Sequence, residues 1–274
     1  EQMGCPNSDL IACYPFDGNA NDVTGNGHHG TVYGASLVAD RFGNPNSAYN
    51  FDGIDDEIRV GNPFPANMAN TAPISIVAWI KQSGQVDAGG IVTQNIACPG
   101  TSNHDKDFLL VLYSNAIQAR FHHYSPTRLS VSSASLNDNN WHQIVITYDG
   151  SYSALYIDGV KEDSLNVTPV SPFDPNLDVV FGDFHIDGCA LNYRYEGLID
   201  DVRIYGKALA SSEIQSLYSS SGGCGNLTVN VGPDTTICLG NQLVLQGSAT
   251  GGVAPITYQW QPASSLSNDT ILQP

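Results

Sequence analysis

The chain has 274 residues, with 27 Asp and Glu against 10 Lys and Arg for a net charge of −17. Phosphate backbones are bound by displacing counterions with Lys and Arg, so this balance excludes nucleic acid as a natural partner and disfavours anionic membranes. No stretch approaches the roughly 18 apolar residues of a membrane span, and the length admits one large domain with a smaller one beside it.

Leu10 to Phe16 is a short apolar run that predicts a first strand, and Tyr49 to Phe51 predicts another. Between them Asp17, Asn19, Asn21, Asp22 and Asn26 interleave with Gly18, Gly25, Gly27 and Gly30. Oxygen-bearing side chains on a glycine-bent loop suit calcium, which is held by about six to eight oxygens, backbone carbonyls included. The competing reading is that these residues are turn formers whose side chains bond their own backbone. An EF-hand is excluded, because the loop counted from Asp17 has Asp22 where the glycine belongs and His28 where the closing glutamate belongs. Asp52, Asp55 and Asp56 form a second acidic group, read as a solvated turn.

Ile74 to Ile80 predicts a mostly apolar strand, followed by strands at Phe108 to Tyr113 and Ile117 to Phe121. Trp141 to Tyr148 leads through Asp149-Gly150 into Ala154 to Ile157, which turns at Asp158-Gly159. Such a two-residue loop favours a hairpin because both positions tolerate positive φ. Short β-branched and aromatic runs separated by Gly, Asp and Asn predict an all-β, antiparallel sandwich of two sheets. One helix is expected from about Ser211 to Tyr218, capped by Ser211 or Ser212, with Ser212-Glu213-Ile214-Gln215 at capping-box spacing. After Ser219-Ser220-Ser221 the composition breaks at Gly222-Gly223-Cys224-Gly225, beyond which only Asp234 and Asp269 are charged. The expected division is therefore a first domain over 1–222, a linker over 223–226 and a second domain over 227–274.

The block from Leu10 to Val60, the aromatic strand around Trp79, the hairpin from Trp141 to Gly159, and Leu198 to Tyr205 with Ala208-Leu209 and Glu213-Ile214 carry a resemblance. In that order they resemble the bacterial laminin-G-like domain, a concanavalin A-like jelly roll. The resemblance implies an extracellular, lectin-like module whose first and last strands are adjacent. It also implies one structural calcium where the N-terminal loop meets the final strand, with Asp22 and Asp201 as carboxylate ligands and Asp17 and the Asn26 turn beside them. The tail, with Pro233 to Cys238 and Gly251 to Trp260, resembles the PKD-like, immunoglobulin-type repeats of bacterial surface proteins. Only the N-terminal part of such a sandwich fits before Pro274, so the full protein is expected to continue.

Six cysteines without a CxxC pair point to disulfides and an oxidising compartment. Glu1-Gln2-Met3-Gly4-Cys5 lacks a basic and apolar leader, as after removal of a signal peptide, so a secreted or cell-surface location is expected. Because jelly rolls of this family pair their first and last strands, the resemblance implies a Cys5–Cys224 bridge; Cys98 and Cys189, both in long loops, are expected as a second pair. Cys5–Cys13 is the rival pairing; otherwise Cys13 reads as a buried free thiol and Cys238 as unpartnered.

Glycans are held by aromatic faces stacked on sugar C–H surfaces and by planar groups that bond hydroxyls. Arg120, His122 and Tyr124 form one pool of such residues, and Asp183, His185, Asp187 and Tyr193 a second, with Tyr124 or Tyr193 as the stacking platform. Phe121 and Phe184 read as core. Catalysis is not expected. Glucanase relatives supply paired carboxylates from a Glu-x-Asp-x-x-Glu strand, and none of Glu1, Glu57, Glu162, Glu196 and Glu213 stands in one. Gly-x-Ser-x-Gly and HExxH are also absent. Two readings follow: a calcium-stabilised module that binds a glycan or other cell-surface ligand, or a non-catalytic structural or protein–protein module of a surface stalk.

Overall fold

The computed structural model describes residues 9–65, 68–69, 71–82, 88–94, 96–97, 108–113, 116–121, 129–132, 136, 138–167, 177–187, 192–219, 228–230 and 248–250. The chain divides into two compact units, residues 7–219 and residues 1–6 with 220–274.

In the larger unit the strands are β1 (Leu10–Tyr14), β2 (Thr31–Tyr33), β3 (Ser36–Val38), β4 (Ala48–Asp52), β5 (Glu57–Arg59), β6 (Ile74–Gln82), β7 (Ala88–Gln94), β8 (Ile96–Ala97) and β9 (Phe108–Tyr113). They continue as β10 (Ala116–Phe121), β11 (Leu129–Ser132), β12 (His142–Tyr148), β13 (Tyr152–Ile157), β14 (Val160–Asn166), β15 (Val179–Phe181), β16 (Asp183–Asp187), β17 (Asn192–Arg194) and β18 (Glu196–Tyr205), before helix α1 (Ser211–Ser219). One sheet has the order β14-β13-β12-β6-β18-β4-β3, with β1 also on β18, and the other has β11-β10-β9-β7-β15-β5-β2. Every pairing within these two sheets is antiparallel. A small third sheet joins β17, β16 and β8, the last two in parallel. The antiparallel two-sheet sandwich read from the sequence is the fold observed. Its first strand lies on its last, with Tyr14 opposite Val202 and Leu10 opposite Tyr205.

Alternation explains how the layers face. In β6 the side chains of Ile74, Ile76, Ala78 and Ile80 enter the shared core, so Ser75, Val77, Trp79 and Lys81 face outward. In the second sheet Ile58, Leu110, Leu112, Ile117 and Phe181 face the same core from the other side. Aromatic rings fill the end nearest the N-terminal loop. Tyr14 meets Phe181, and Phe16 meets Tyr49, each pair at 5.0 Å and edge-on, the arrangement that ring quadrupoles favour.

The Asp158–Gly159 hairpin forms as expected, with φ of 51° and 77° and Ile157 paired to Val160. The helix starts where expected, but its capping box sits two residues earlier than the Ser212–Gln215 spacing suggests. Glu213 Oε2 accepts the Ala210 N–H at 2.9 Å, while the N–H groups of Glu213 and Ile214 donate to the Ala210 carbonyl. Alanine has no hydroxyl for the reciprocal bond, so only the glutamate half of the box is made. Among the described residues no helix is long and apolar enough to cross a membrane.

Cys13 is fully buried on β1 and is disulfide-bonded, a correction to its reading as a free thiol. The other five cysteines lie outside the described residues, and so do the expected bridges Cys5–Cys224 and Cys98–Cys189. In the smaller unit, β19 (Thr228–Asn230) and β20 (Ser248–Thr250) pair antiparallel. The expected linker 223–226 lies outside the described residues.

Candidate functional site

Strand β18 changes partner halfway along one edge. Glu196 to Ile199 pair with β4, and Val202 to Tyr205 pair with β1. On its other edge the register with β6 slips between Asp200 and Arg203, so one extra residue is accommodated there. Asp201 takes it up with φ of 47°, a left-handed conformation that aspartate tolerates better than most residues. With Ile199 and Val202 both committed to the core, the bulge leaves Asp200 and Asp201 both able to meet one shared partner outside it.

That partner is Arg41. Its Nη1 lies 2.7 Å from Asp200 Oδ2 and its Nη2 lies 2.5 Å from Asp201 Oδ2, with side-chain exposures of 7%, 3% and 5% in that order. The guanidinium also lies over the rings of Trp79 and Phe42, each at 4.4 Å. A tight turn presents it: Asp40 Oδ1 accepts the N–H groups of Phe42 and Asn44, and Oδ2 accepts the Asn44 side-chain amide. Burial pushes the Asp200 carboxyl well above the usual carboxylate range, and the Asp201 charge adds to it against the pull of Arg41. Asp17 is raised as well, by burial and by the charges of Asp201 and Asp40, against a hydrogen bond from Ser47.

The four residues expected to hold calcium are placed differently from one another. Asp17 lies near enough to Asp201 for their charges to interact. Asp22 is turned to β1 and to its own loop. Its Oδ1 accepts the N–H groups of Cys13 and Thr24, its Oδ2 accepts the His28 N–H, and the Thr24 hydroxyl meets both oxygens. Asn26 donates to the Ile11 carbonyl at 2.9 Å. Among the described residues, the carboxylates that gather three together within 4.8 Å are Asp52, Asp55 and Asp56, and not Asp17, Asp22 and Asp201. That group belongs to a turn, where Asp56 accepts the Asp52 N–H and Asp52 accepts the Ile54 N–H. The loop chemistry of Asp22 and Asn26 is that of turn formers fastening residues 17–30 to the first strand.

The expected ligand residues that can be followed lie on β10 of the second sheet and on the β16–β17 hairpin of the small third sheet. His122 and Tyr124 lie outside the described residues. Arg120 stands on β10 opposite Leu109, His185 on β16 opposite Asn192, and Asp187 opposite Ala97 of β8; their side chains are not among those described. Asp183 and Tyr193 are described, and alternation parts them. Asp183 pairs in register with Arg194, and Phe184 with Tyr193, so the two pairs fall on opposite faces of the β16–β17 hairpin. Phe184 and Tyr193 stack at 5.7 Å and 11°, which occupies one face of the tyrosine ring.

On the other face Asp183 is fully buried and ion-paired to Arg194 at 3.3 Å. The same guanidinium nitrogen lies 3.5 Å from Glu57 Oε2, and Glu57 Oε1 accepts from Arg59 Nε at 2.7 Å. Arg59 in turn lies over the Tyr33 ring at 6.0 Å. Arg59 and Tyr33 are the open end of this chain of charges, with exposures of 40% and 49%. Register places them there: Tyr33 is opposite Glu57 and Thr31 opposite Arg59, while Val32 and Ile58 between them turn inward. Glycine brings the hairpin down onto the sheet. A Cβ on Gly90 would strike the Asp183 backbone, and one on Gly89 would come within 2.8 Å of the Tyr195 Cα. The sequence reading missed Glu57, Arg59 and Tyr33 as site residues, while Arg194 stands in the same dense segment as Asp183 and Tyr193. The alternation Glu57-Ile58-Arg59 beside Thr31-Val32-Tyr33 is a local signal for two polar faces, but nothing local says that the faces adjoin.

Residues 43–215 match the Laminin_G_3 family, described as the Concanavalin A-like lectin/glucanases superfamily. No curated protein sequence matches the chain significantly. Among solved structures, domain 4 of AbnA, a GH43 extracellular arabinanase from Geobacillus stearothermophilus solved with arabinotriose, is similar over 77% of this chain and 98% of its own, at TM-score 0.59 and 20% identity. The ligand-binding domain of botulinum neurotoxin serotype D, solved with N-acetylneuraminic acid, is similar over 78% of this chain and 51% of its own, at TM-score 0.57 and 20% identity. The binding domain of Paraclostridial Mosquitocidal Protein 1 is similar over 77% and 52%, at TM-score 0.59 and 18% identity. The chain thus spans about half the length of the toxin chains. The order of the strands, the sandwich they build and the match over 43–215 lead to one conclusion: the chain belongs to the Laminin_G_3 family of concanavalin A-like jelly rolls.

Proposed function

We propose that the jelly roll is a carbohydrate-binding module that works outside the cell, with the outward face of its second sheet as the glycan surface. The observation that carries this reading is the exposed Tyr33–Arg59 pair, anchored on the buried Glu57–Arg194–Asp183 chain. A ring face open to solvent can stack on a sugar, and a guanidinium fixed through its Nε keeps its outer N–H groups for hydroxyls. Similar domains solved with arabinotriose and with N-acetylneuraminic acid support the same reading. The surface favours a neutral sugar, since among the described residues Asp56, Glu57 and Asp183 stand beside Arg59 and Arg194 in a chain of net charge −17. A binding role is preferred to hydrolysis. Glu57 and Asp183 share one guanidinium and are buried, so neither carboxylate is presented to a glycosidic bond.

A glycan array followed by calorimetry on the best ligand tests this. Tyr33→Ala and Arg59→Met each should lower affinity about fivefold or more, the equivalent of one stacked contact. Both positions are exposed, so the melting temperature should move by no more than roughly 2 °C. Unchanged affinity in both variants would place the glycan elsewhere on the domain. An array without hits would favour a structural module.

A further inference from the structure

The resemblance to laminin-G-like domains implies a calcium ion where the N-terminal loop meets the last strand, and the residues found there do not fit one. Asp201 is held by Arg41, Asp22 accepts N–H groups on both oxygens, and Asp40 accepts three N–H groups in building its turn. Calcium needs oxygens on about six to eight sides, whereas here the Trp79 and Phe42 rings lie 4.4 Å from the guanidinium carbon. A planar, weakly hydrated guanidinium is suited to that setting, because its edge bonds carboxylates while its faces accept aromatic rings.

We infer that Arg41 takes the place of a metal ion at this junction, drawing the Asp40–Asn44 turn onto the Asp200–Asp201 bulge and making the fold of this domain independent of calcium. The two carboxylates are bonded by different nitrogens of one fork, which fixes the orientation of the turn as well as its position. The bulge serves the same end. Without the extra residue at Asp201, strict alternation would send one of two successive carboxylates to the core face. Arg203, buried on the same strand 3.9 Å from Asp201 Oδ1, adds a second positive charge. Four carboxylates (Asp17, Asp40, Asp200, Asp201) still face two guanidiniums, so the junction is one where added calcium would register if a site existed.

The test is thermal unfolding of the whole chain with chelator, with millimolar calcium, and with neither. The wild-type melting temperature should be the same in all three. Arg41→Met keeps an unbranched chain against Trp79 but removes the charge, and should lower the melting temperature by roughly 10 °C. Adding Asp200→Asn to Arg41→Met should restore part of that loss, which a role for Arg41 in packing alone would not produce. A wild-type calcium response that Asp17→Asn abolishes would overturn the inference. So would an Arg41→Met protein as stable as wild type. A response abolished by Asp55→Asn but kept in Asp17→Asn would place an ion at the Asp52 turn and overturn the calcium independence of the domain. Should Arg41→Met fail to fold, the wild-type comparison with and without chelator still decides.

Discussion

Two clusters of arginine and carboxylate sit on the two outward faces of the sandwich, built from the same residue types and put to different use. At Arg41, Asp200 and Asp201 every partner is at most 7% exposed, and aromatic rings cover the guanidinium. Around Glu57 and Arg194 the chain of charges runs outward instead, ending in a side chain 40% exposed beside an exposed tyrosine. The first cluster closes on itself and holds the end strands to the N-terminal loop. The second ends with donors facing water. Charge content does not separate the scaffold from the proposed glycan surface here; what separates them is whether the last guanidinium is covered.

This contrast can be broken most forcefully at the closed cluster. Asp200→Ala leaves Arg41 with one of its two carboxylates, and breaking a buried pair costs about 3–5 kcal/mol. Urea unfolding should show that loss while the affinity of the folded protein for the proposed glycan ligand stays unchanged. A stability change under about 1 kcal/mol, the range of an exposed pair, would erase the distinction between the clusters.

A smaller effect, but on both properties, is expected at Gly90. An alanine there pushes against the Asp183 backbone, where no flexible side chain can yield. Overpacking of this kind costs about 1–3 kcal/mol. Displacing the β16–β17 hairpin also moves Arg194 off Glu57, so Gly90→Ala should weaken glycan binding where Asp200→Ala does not. Equal affinity for wild type and Gly90→Ala would show that the hairpin does not shape the surface.

The smallest effect belongs to a pair of ionic contacts intermediate in exposure. His142 Nδ1 lies 2.7 Å from Asp158 Oδ2 and Nε2 lies 3.1 Å from Asp138 Oδ1, with the imidazole 12% exposed. Burial draws the imidazole down, but the hydrogen bonds to Asp158 and Asp138 outweigh it, so it titrates above its ordinary 6.5. A folded-state value above the unfolded one stabilises fully below pH 6.5, and the contribution fades as pH rises through the folded-state value. Asp138, lowered to about 2, adds a contribution present above pH 3.8 and lost as pH falls toward 2. NMR titration should find both shifts, and His142→Gln should flatten the stability slope above pH 6.5. A His142 value at or below 6.5 would mean that burial prevails.

Much of the fold was legible because its causes are local. The mostly apolar run Ile74 to Ile80 marks a strand, which is buried throughout, and Asp158-Gly159 can turn a hairpin without help from elsewhere in the chain. The Ala210–Glu213 cap was misplaced by two residues because serine is the better cap and alanine gives no signal, yet glutamate made the bond where the chain entered the helix. Of the two readings of Cys13, the free thiol failed, because a strand interior reads as core whether or not its sulfur is bonded.

The candidate sites were legible only in part. Asp183 and Tyr193 were singled out from one dense segment, and the pleat then put them on opposite faces of a hairpin. Arg41 went unread, because a lone arginine in a glycine-rich turn is ordinary and its carboxylates lie 159 and 160 residues away. By itself the sequence determined the longer core strands, the hairpin, the helix and the superfamily, each carried by periodicity, turn chemistry or motifs within a short span. Only the tertiary structure decided that Asp201 meets a guanidinium and that Glu57 joins Arg59 to Arg194. Such pairings depend on which strand edges adjoin and on where one extra residue resets the alternation, and neither leaves a periodic trace along the chain.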